Sequence, residues 1–225
     1  MAKPCKAILY PTMDTENTKN QISQLTDSEL LEQYRQGHEW AFREIVDRYK
    51  NSLYAFLRRF VSQQDLVEDI FQETFLQLYT SQDSFDMERP LRPWLFTIAA
   101  NKAKDALRKI QRQSSLSMGT MADAGDVSID EVVNILTSYE ITPEDEVSQD
   151  ETARRVREVI AEMPENLRGI LILAYFEQFS YKHMSEILSI PIGTVKSRLH
   201  TAVVHFMKKW KAANRGTDNH GLSEI

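Results

Sequence analysis

One cysteine, Cys5, is all that the chain of 225 residues contains. A single thiol near one end excludes a disulfide framework and a cysteine-rich zinc site. Long apolar runs are missing as well: the longest near-apolar stretch, Gly169 to Phe176, is far too short to cross a bilayer. Lys3, Pro4 and Lys6 stand near the start, but the apolar piece that follows, Ala7 to Tyr10, is too short for a secretory signal. A cytoplasmic protein without membrane insertion is therefore expected. No stretch alternates apolar and polar residues for long enough to suggest a strand, so the expected fold class is all-α. No cofactor or metal motif stands out, and none is expected.

Charge is also missing, locally and in both signs. Gln113 to Asp150 has nine acidic residues and no Lys or Arg. Without that segment, the net charge of −6 becomes +3, with 27 basic residues against 24 acidic ones (33 less nine). Thr194 to Arg215 has the opposite bias, six cations and no acid, and Asn101 to Arg112 has five cations against Asp105 alone. Segregation of this kind points to polyanionic partners, which the net charge would argue against.

What is present is helical periodicity. Thr26 and Glu29 have the spacing of a capping box ahead of Leu30, Leu31 and Tyr34, and Gly37 is placed to end that short helix. Ala41, Phe42, Ile45, Val46, Tyr49, Leu53, Phe56, Leu57 and Phe60 recur every three or four residues, the core face of a second helix. A third helix is expected from about Asp65 to Tyr79, buried through Val67, Ile70, Phe71, Phe75 and Leu78. Ser81 to Pro93 is expected as a loop. A fourth helix, from about Trp94 to Gln111, is expected to bury Trp94, Leu95, Ile98, Ala99, Ala103 and either Ala106 or Leu107. Helical pattern returns from Glu151 to Met163, breaks at Pro164 and resumes from Glu165 to Glu177. It ends with Tyr181 to Leu188 and about Ile192 to Trp210. The expected organisation has a tail (1–25), a helical domain (26–112) and an acidic flexible linker (113–151). A second small helical domain (152–212) and a tail (213–225) complete it. A linker of that length is long for a connection inside one compact domain; a short amphipathic helix, Ile129 to Tyr139, is expected within it.

The last two helices are joined by the tight turn Ser189-Ile190-Pro191, which makes a helix-turn-helix. Ser180 is placed to cap the first, and Pro191 suits the first turn of the second, where its missing N–H costs nothing. On the second helix Val195, Leu199, Ala202, Val203 and Phe206 share one face. Gly193, Thr194, Ser197, His200 and Thr201 lie opposite, flanked by Lys196 and Arg198. Small polar residues in the middle with cations at the sides suit a helix lying in a DNA groove. A solvated basic face is the plainer alternative. A phosphate-binding loop at Gly193-Thr-Val-Lys-Ser197 fails, because it lacks the earlier glycine and any preceding strand.

In the N-terminal half, Asp65, Asp69 and Glu73 are spaced i, i+4, i+8, with Glu68 and Gln72 beside them. Carboxylates on one stripe repel unless a partner supplies positive charge. No histidine, ligand cluster or nucleophile accompanies them, so a docking face or a solvated acidic face fits better than an acid/base pair.

These motifs carry a resemblance. "LRGILILAYFEQFSYKHMSEILSIPIGTVKSRLH" is similar to the promoter-binding C-terminal domain of bacterial sigma factors of the extracytoplasmic-function (ECF) group, and Gly193 to His200 match its pattern without a break. The pattern departs at His183, where Ser180 loses a capping-box partner. It departs again at Ser185 (usually Ala) and at Thr201 (usually Arg). "DLVEDIFQETFLQLY" resembles the family segment that docks on polymerase, matching at Asp65, Glu68, Asp69, Gln72, Glu73 and Phe75. "RPWLFTIAANKAKDALRKIQR" resembles its promoter-melting segment, with Ala100 where an Arg is common.

The resemblance implies a non-enzymatic subunit that binds core RNA polymerase, at the clamp helices of the largest subunit and the flap of the second, and promoter DNA. It implies minus-35 contacts from Gly193, Thr194, Lys196, Ser197, Arg198, His200 and Thr201. It implies minus-10 contacts from Phe85, Arg89, Asn101, Lys102, Asp105, Arg108, Lys109 and Arg112. Phe85 and Arg89 would offer stacking and charge where a flipped base is captured, while Trp94 is expected in the core. The acidic linker would occupy the polymerase channel that later holds RNA, and an anti-sigma factor is the family's usual regulator. A stand-alone helix-turn-helix regulator is the alternative, but it leaves the acidic stripe unexplained.

Overall fold

The computed structural model describes residues 22–61, 63–81, 85–113, 135–136 and 151–215. Among them are eight helices and no strand: α1 (Asp27–Arg35), α2 (Glu39–Phe60), α3 (Gln64–Ser81), α4 (Leu91–Gln113), α5 (Glu151–Ala161), α6 (Glu165–Tyr175), α7 (Tyr181–Leu188) and α8 (Ile192–Arg215).

Local chemistry sets the helix ends. Thr26 caps α1: its hydroxyl accepts from the Glu29 N–H at 3.2 Å, and the Glu29 carboxylate accepts from the Thr26 N–H at 2.7 Å. That bond holds the Glu29 carboxyl below its ordinary value. Gly37 follows α1 with φ +91°, a left-handed conformation that favours glycine. α4 begins at Leu91, so Pro93 lies inside its first turn, where no intrahelical partner awaits its absent N–H. The proline that suggested a loop boundary is part of the helix.

α2 lies at the centre, buried along Ala41, Ile45, Tyr49, Leu53, Phe56, Leu57 and Phe60, with α3 and α4 packed against it. α4 is covered on two sides. Leu95, Ala99 and Ala103 are buried as the spacing predicts, but Phe96 and Ala100 are fully buried too, while Trp94 and Ile98 are only half-buried. The second buried side exists because α4 also packs against α7, from the C-terminal set. Phe96 meets Phe56 at 5.2 Å and Phe179 at 5.0 Å between ring centroids. The buried residues of both sets thus form one continuous cluster. Leu136 belongs to it, with Ile135 packed alongside; the other residues of the helix expected over Ile129 to Tyr139 lie outside the described residues.

Candidate nucleic-acid and polymerase interfaces

The helix-turn-helix forms as its sequence requires. The Ser180 hydroxyl accepts from the His183 N–H at 3.3 Å, a one-sided cap in keeping with His183, whose ring packs edge-on against Phe179. Ser189 ends α7 in the left-handed region (φ 55°). Ser185 then holds the turn from both sides: its carbonyl accepts from the Ile190 N–H at 3.1 Å, and its hydroxyl donates to the Ile190 carbonyl at 2.5 Å. The hydroxyl that departs from the family pattern therefore has a local partner.

On α8, Val195, Leu199, Ala202, Val203 and Phe206 are buried. Gly193, Lys196, Ser197 and His200 are exposed, whereas Thr194, Arg198 and Thr201 are half-buried. A Cβ placed on Gly193 would meet nothing within 4 Å, so the backbone there is open to a close external partner. The hydroxyls of Ser197 and Thr201 donate to the Thr194 and Ser197 carbonyls at 3.2 and 3.0 Å. Arg198 turns away from the open face and lines a cleft against α4.

On α3, Asp65, Glu68, Asp69, Gln72 and Glu73 are all exposed. Leu76, which is 60% exposed, continues the stripe one turn further. Sequence inspection passed over it, although its position off the face of Val67, Ile70, Phe75 and Leu78 was the signal. Glu73 reaches Lys102 of α4 at 2.7 Å, joining the acidic stripe to the basic helix.

The minus-10 candidates are scattered. Phe85 is buried, edge-on to the half-buried Trp94 at 4.9 Å, so the two rings hold the opposite places from those expected. The order follows from packing: Phe85 can be enclosed completely, while the larger indole remains at the edge. Arg89 is exposed and pairs with Asp86 at 3.5 Å. Asn101, Asp105, Arg108 and Lys109 are exposed on α4, with Arg108 and Asp105 paired at 3.3 Å; the Arg112 side chain lies outside the described residues.

A cleft of about 580 Å³ gathers Asn101, Lys104, Asp105 and Arg108 of α4 opposite Glu165, Ser189 and Arg198. Burial pushes the Lys104 ammonium down and the Glu165 carboxyl up, each shift opposed by the other group's charge. The structure thus brings Arg198 of the expected minus-35 set beside Asn101, Asp105 and Arg108 of the expected minus-10 set, and ties the docking stripe to the latter through Glu73 and Lys102. Among the described residues no group of His, Cys, Asp and Glu could hold a metal, and no helix is long and apolar enough to cross a membrane.

Comparison with known proteins covers both helical sets. Residues 45–113 match the family described as Sigma-70 region 2, and residues 153–206 match Sigma-70, region 4. The chain is 33% identical over 170 residues to the ECF RNA polymerase sigma factor SigW of Bacillus subtilis, covering 76% of this chain and 89% of that one. It is 35% identical over 179 residues to the ECF RNA polymerase sigma-E factor of Haemophilus influenzae, covering 80% and 92%. Among solved structures, the sigma factor RpoE in complex with the anti-sigma factor NepR from Bartonella quintana is similar in fold, with TM-score 0.56, 24% identity and coverage of 76% and 96%. CnrH in complex with the cytosolic domain of CnrY is similar in fold as well, with TM-score 0.57, 22% identity and coverage of 83% and 97%. With both sigma-70 regions in the expected order and relatives matched along most of their length, the chain belongs to the ECF group of RNA polymerase sigma factors.

Proposed function

We propose that this sigma factor directs core RNA polymerase to promoters through three surfaces carried by α3, α4 and α8. The exposed carboxylates of α3, with Gln72 and Leu76, form the polymerase-docking stripe; a basic partner surface relieves their mutual repulsion. The open face of α8 lies in the major groove of the minus-35 element. Gly193, Ser197 and His200 approach base edges there, and Lys196 pairs with phosphate. Asn101, Arg108 and Lys109 of α4 hold a separated minus-10 strand by its phosphates, with Arg89 at the head of the helix. Phe85 is left out of this strand-holding set, because its ring is enclosed.

The chain acts in the cytoplasm as a recognition subunit, and the chemistry of transcription belongs to the polymerase. An anti-sigma factor is proposed as its regulator, the kind of partner bound to RpoE in the similar structure from Bartonella quintana. The observation that carries this function best is α8, a helix that starts sharply after Pro191, with no acid along its length and an exposed face at Gly193, Lys196, Ser197 and His200. A selection over randomised upstream elements, read by transcription with core polymerase, tests it. Ser197 substitutions should change the preferred sequence, whereas an unchanged preference would remove Ser197 from base recognition.

A further inference from the structure

The cleft beside α4 holds more cations than its own acids engage. Lys104 and Arg108 line it from α4 and Arg198 from α8, against the carboxylates of Asp105 and Glu165. Asp105 is taken by Arg108, at 3.3 Å on its own helix. The half-buried Arg198 guanidinium makes no hydrogen bond or ion pair with any described residue. The Lys104 ammonium has the Leu188 carbonyl as its one hydrogen-bond partner among the described residues, at a long 3.4 Å. Burial holds Lys104 below its ordinary value, and the charges of Arg108 and Arg198 add to that shift. Half-buried cations without full partners are unfavourable, and an anion between them would relieve both the burial and the repulsion.

The cleft also has the size and walls of a small-molecule site. Its volume of about 580 Å³ lies within the range of roughly 300–1,000 Å³ usual for ligand pockets, far more than one phosphate needs. Leu188 and Ile190 give it an apolar side. The side-chain amides of Asn101 and Asn166 line it too, and neither is hydrogen-bonded to a described residue. The walls are fixed in place. Arg92 of α4 donates to the Glu177 carboxylate at 2.9 Å, and a Cβ on Gly169 would come within 2.5 Å of the Phe60 ring. A site held in shape beforehand loses less of its binding energy to ordering.

We propose that this cleft binds a small organic polyphosphate of nucleotide size, its phosphates held by Lys104, Arg108 and Arg198. Asn101 and Asn166 hydrogen-bond the polar body of the ligand, and Leu188 and Ile190 pack against its flat part. Asn101 and Arg108 also belong to the set proposed above to hold the separated strand, so ligand and strand exclude each other. That exclusion rests on the sigma-factor function; the binding itself does not.

Isothermal titration calorimetry of the full chain with ATP and with GTP tests the site, with inorganic phosphate and a mixed-sequence single-stranded DNA oligonucleotide as separate arms. The nucleotides should bind one to one, and phosphate far more weakly. Arg198→Gln and Lys104→Gln should each weaken nucleotide binding about tenfold, the loss of one charge-assisted hydrogen bond. Glu165→Gln should tighten it, a change of sign that general damage to the fold does not produce. Lys182→Gln, at an exposed cation of α7 outside the cleft, should leave it unchanged. Absence of nucleotide binding, or binding that Lys182→Gln weakens as much as Arg198→Gln does, would overturn the proposal. DNA binding that requires Arg198 while neither nucleotide binds would give the cleft to the strand and overturn it as well. Nucleotide binding that leaves the oligonucleotide in place would overturn the exclusion. If Lys104→Gln loses helical circular dichroism, Arg198→Gln decides alone. If the chain binds no single-stranded DNA, the strand-holding function fails while the calorimetry still judges the site.

Discussion

α4 and α8 both carry cations proposed to meet promoter DNA, yet the chain presents them in opposite ways. α8 buries one face and leaves the other open, with Lys196, Ser197 and His200 exposed around Gly193. α4 is enclosed on two sides, and three of its basic residues are engaged: Lys102 with Glu73, Lys104 with the Leu188 carbonyl and Arg108 with Asp105. A duplex reader needs an open helix face and no change in its own packing. A strand holder works only after melting, so its surface can be occupied beforehand.

The largest expected effect lies on the open acidic stripe of α3. Asp69→Arg with Glu73→Arg should abolish binding to core polymerase, measured by co-purification, with helical circular dichroism unchanged. Retained binding would move the docking surface elsewhere. Next is the enclosed side of α4. Phe96→Ala removes a fully buried ring between Phe56 and Phe179 and should cost about 3–5 kcal/mol in urea unfolding. His200→Ala on the open face of α8 should stay within about 0.5 kcal/mol. Equal costs would erase the contrast between the two helices.

Smaller effects sharpen it. Lys196→Ala should weaken binding across promoter sequences and flatten the slope of log affinity against log salt by about 0.9. A change in sequence preference instead would place Lys196 on a base. Ser180→Ala should cost about 1 kcal/mol, as removal of the α7 cap. Smallest is the Glu29 effect. Its carboxyl is held low in the folded chain, so its contribution is present above about pH 4.5 and is lost as pH falls through the lowered value. Acid titration of Glu29→Gln should lack that component.

Much of the fold was legible because helices announce themselves locally. The period of α2, the Thr26–Glu29 box and the Pro191 start of α8 are written within a few residues each, and the structure forms all three. The face of α4 was less legible, because a single stripe was assumed where two neighbours claim the helix. Phe96 and Ala100 were missed for that reason, and Phe85 and Trp94 were interchanged. The seam between the halves had almost no local trace, since Arg92 and Glu177 are 85 residues apart. Gly169 inside α6 was its one signal, as an interior glycine usually answers to a close neighbour. The open faces of α3 and α8 were read readily, because charge segregation is visible without tertiary contacts.

Run-off transcription with core polymerase on a genomic promoter library tests the central claim most directly. Defined transcripts should appear only when the chain is added, should share an upstream element, and should vanish with Asp69→Arg and Glu73→Arg. Tight, specific shifts of duplex DNA by the chain alone, with no transcript when core polymerase is supplied, would contradict the account.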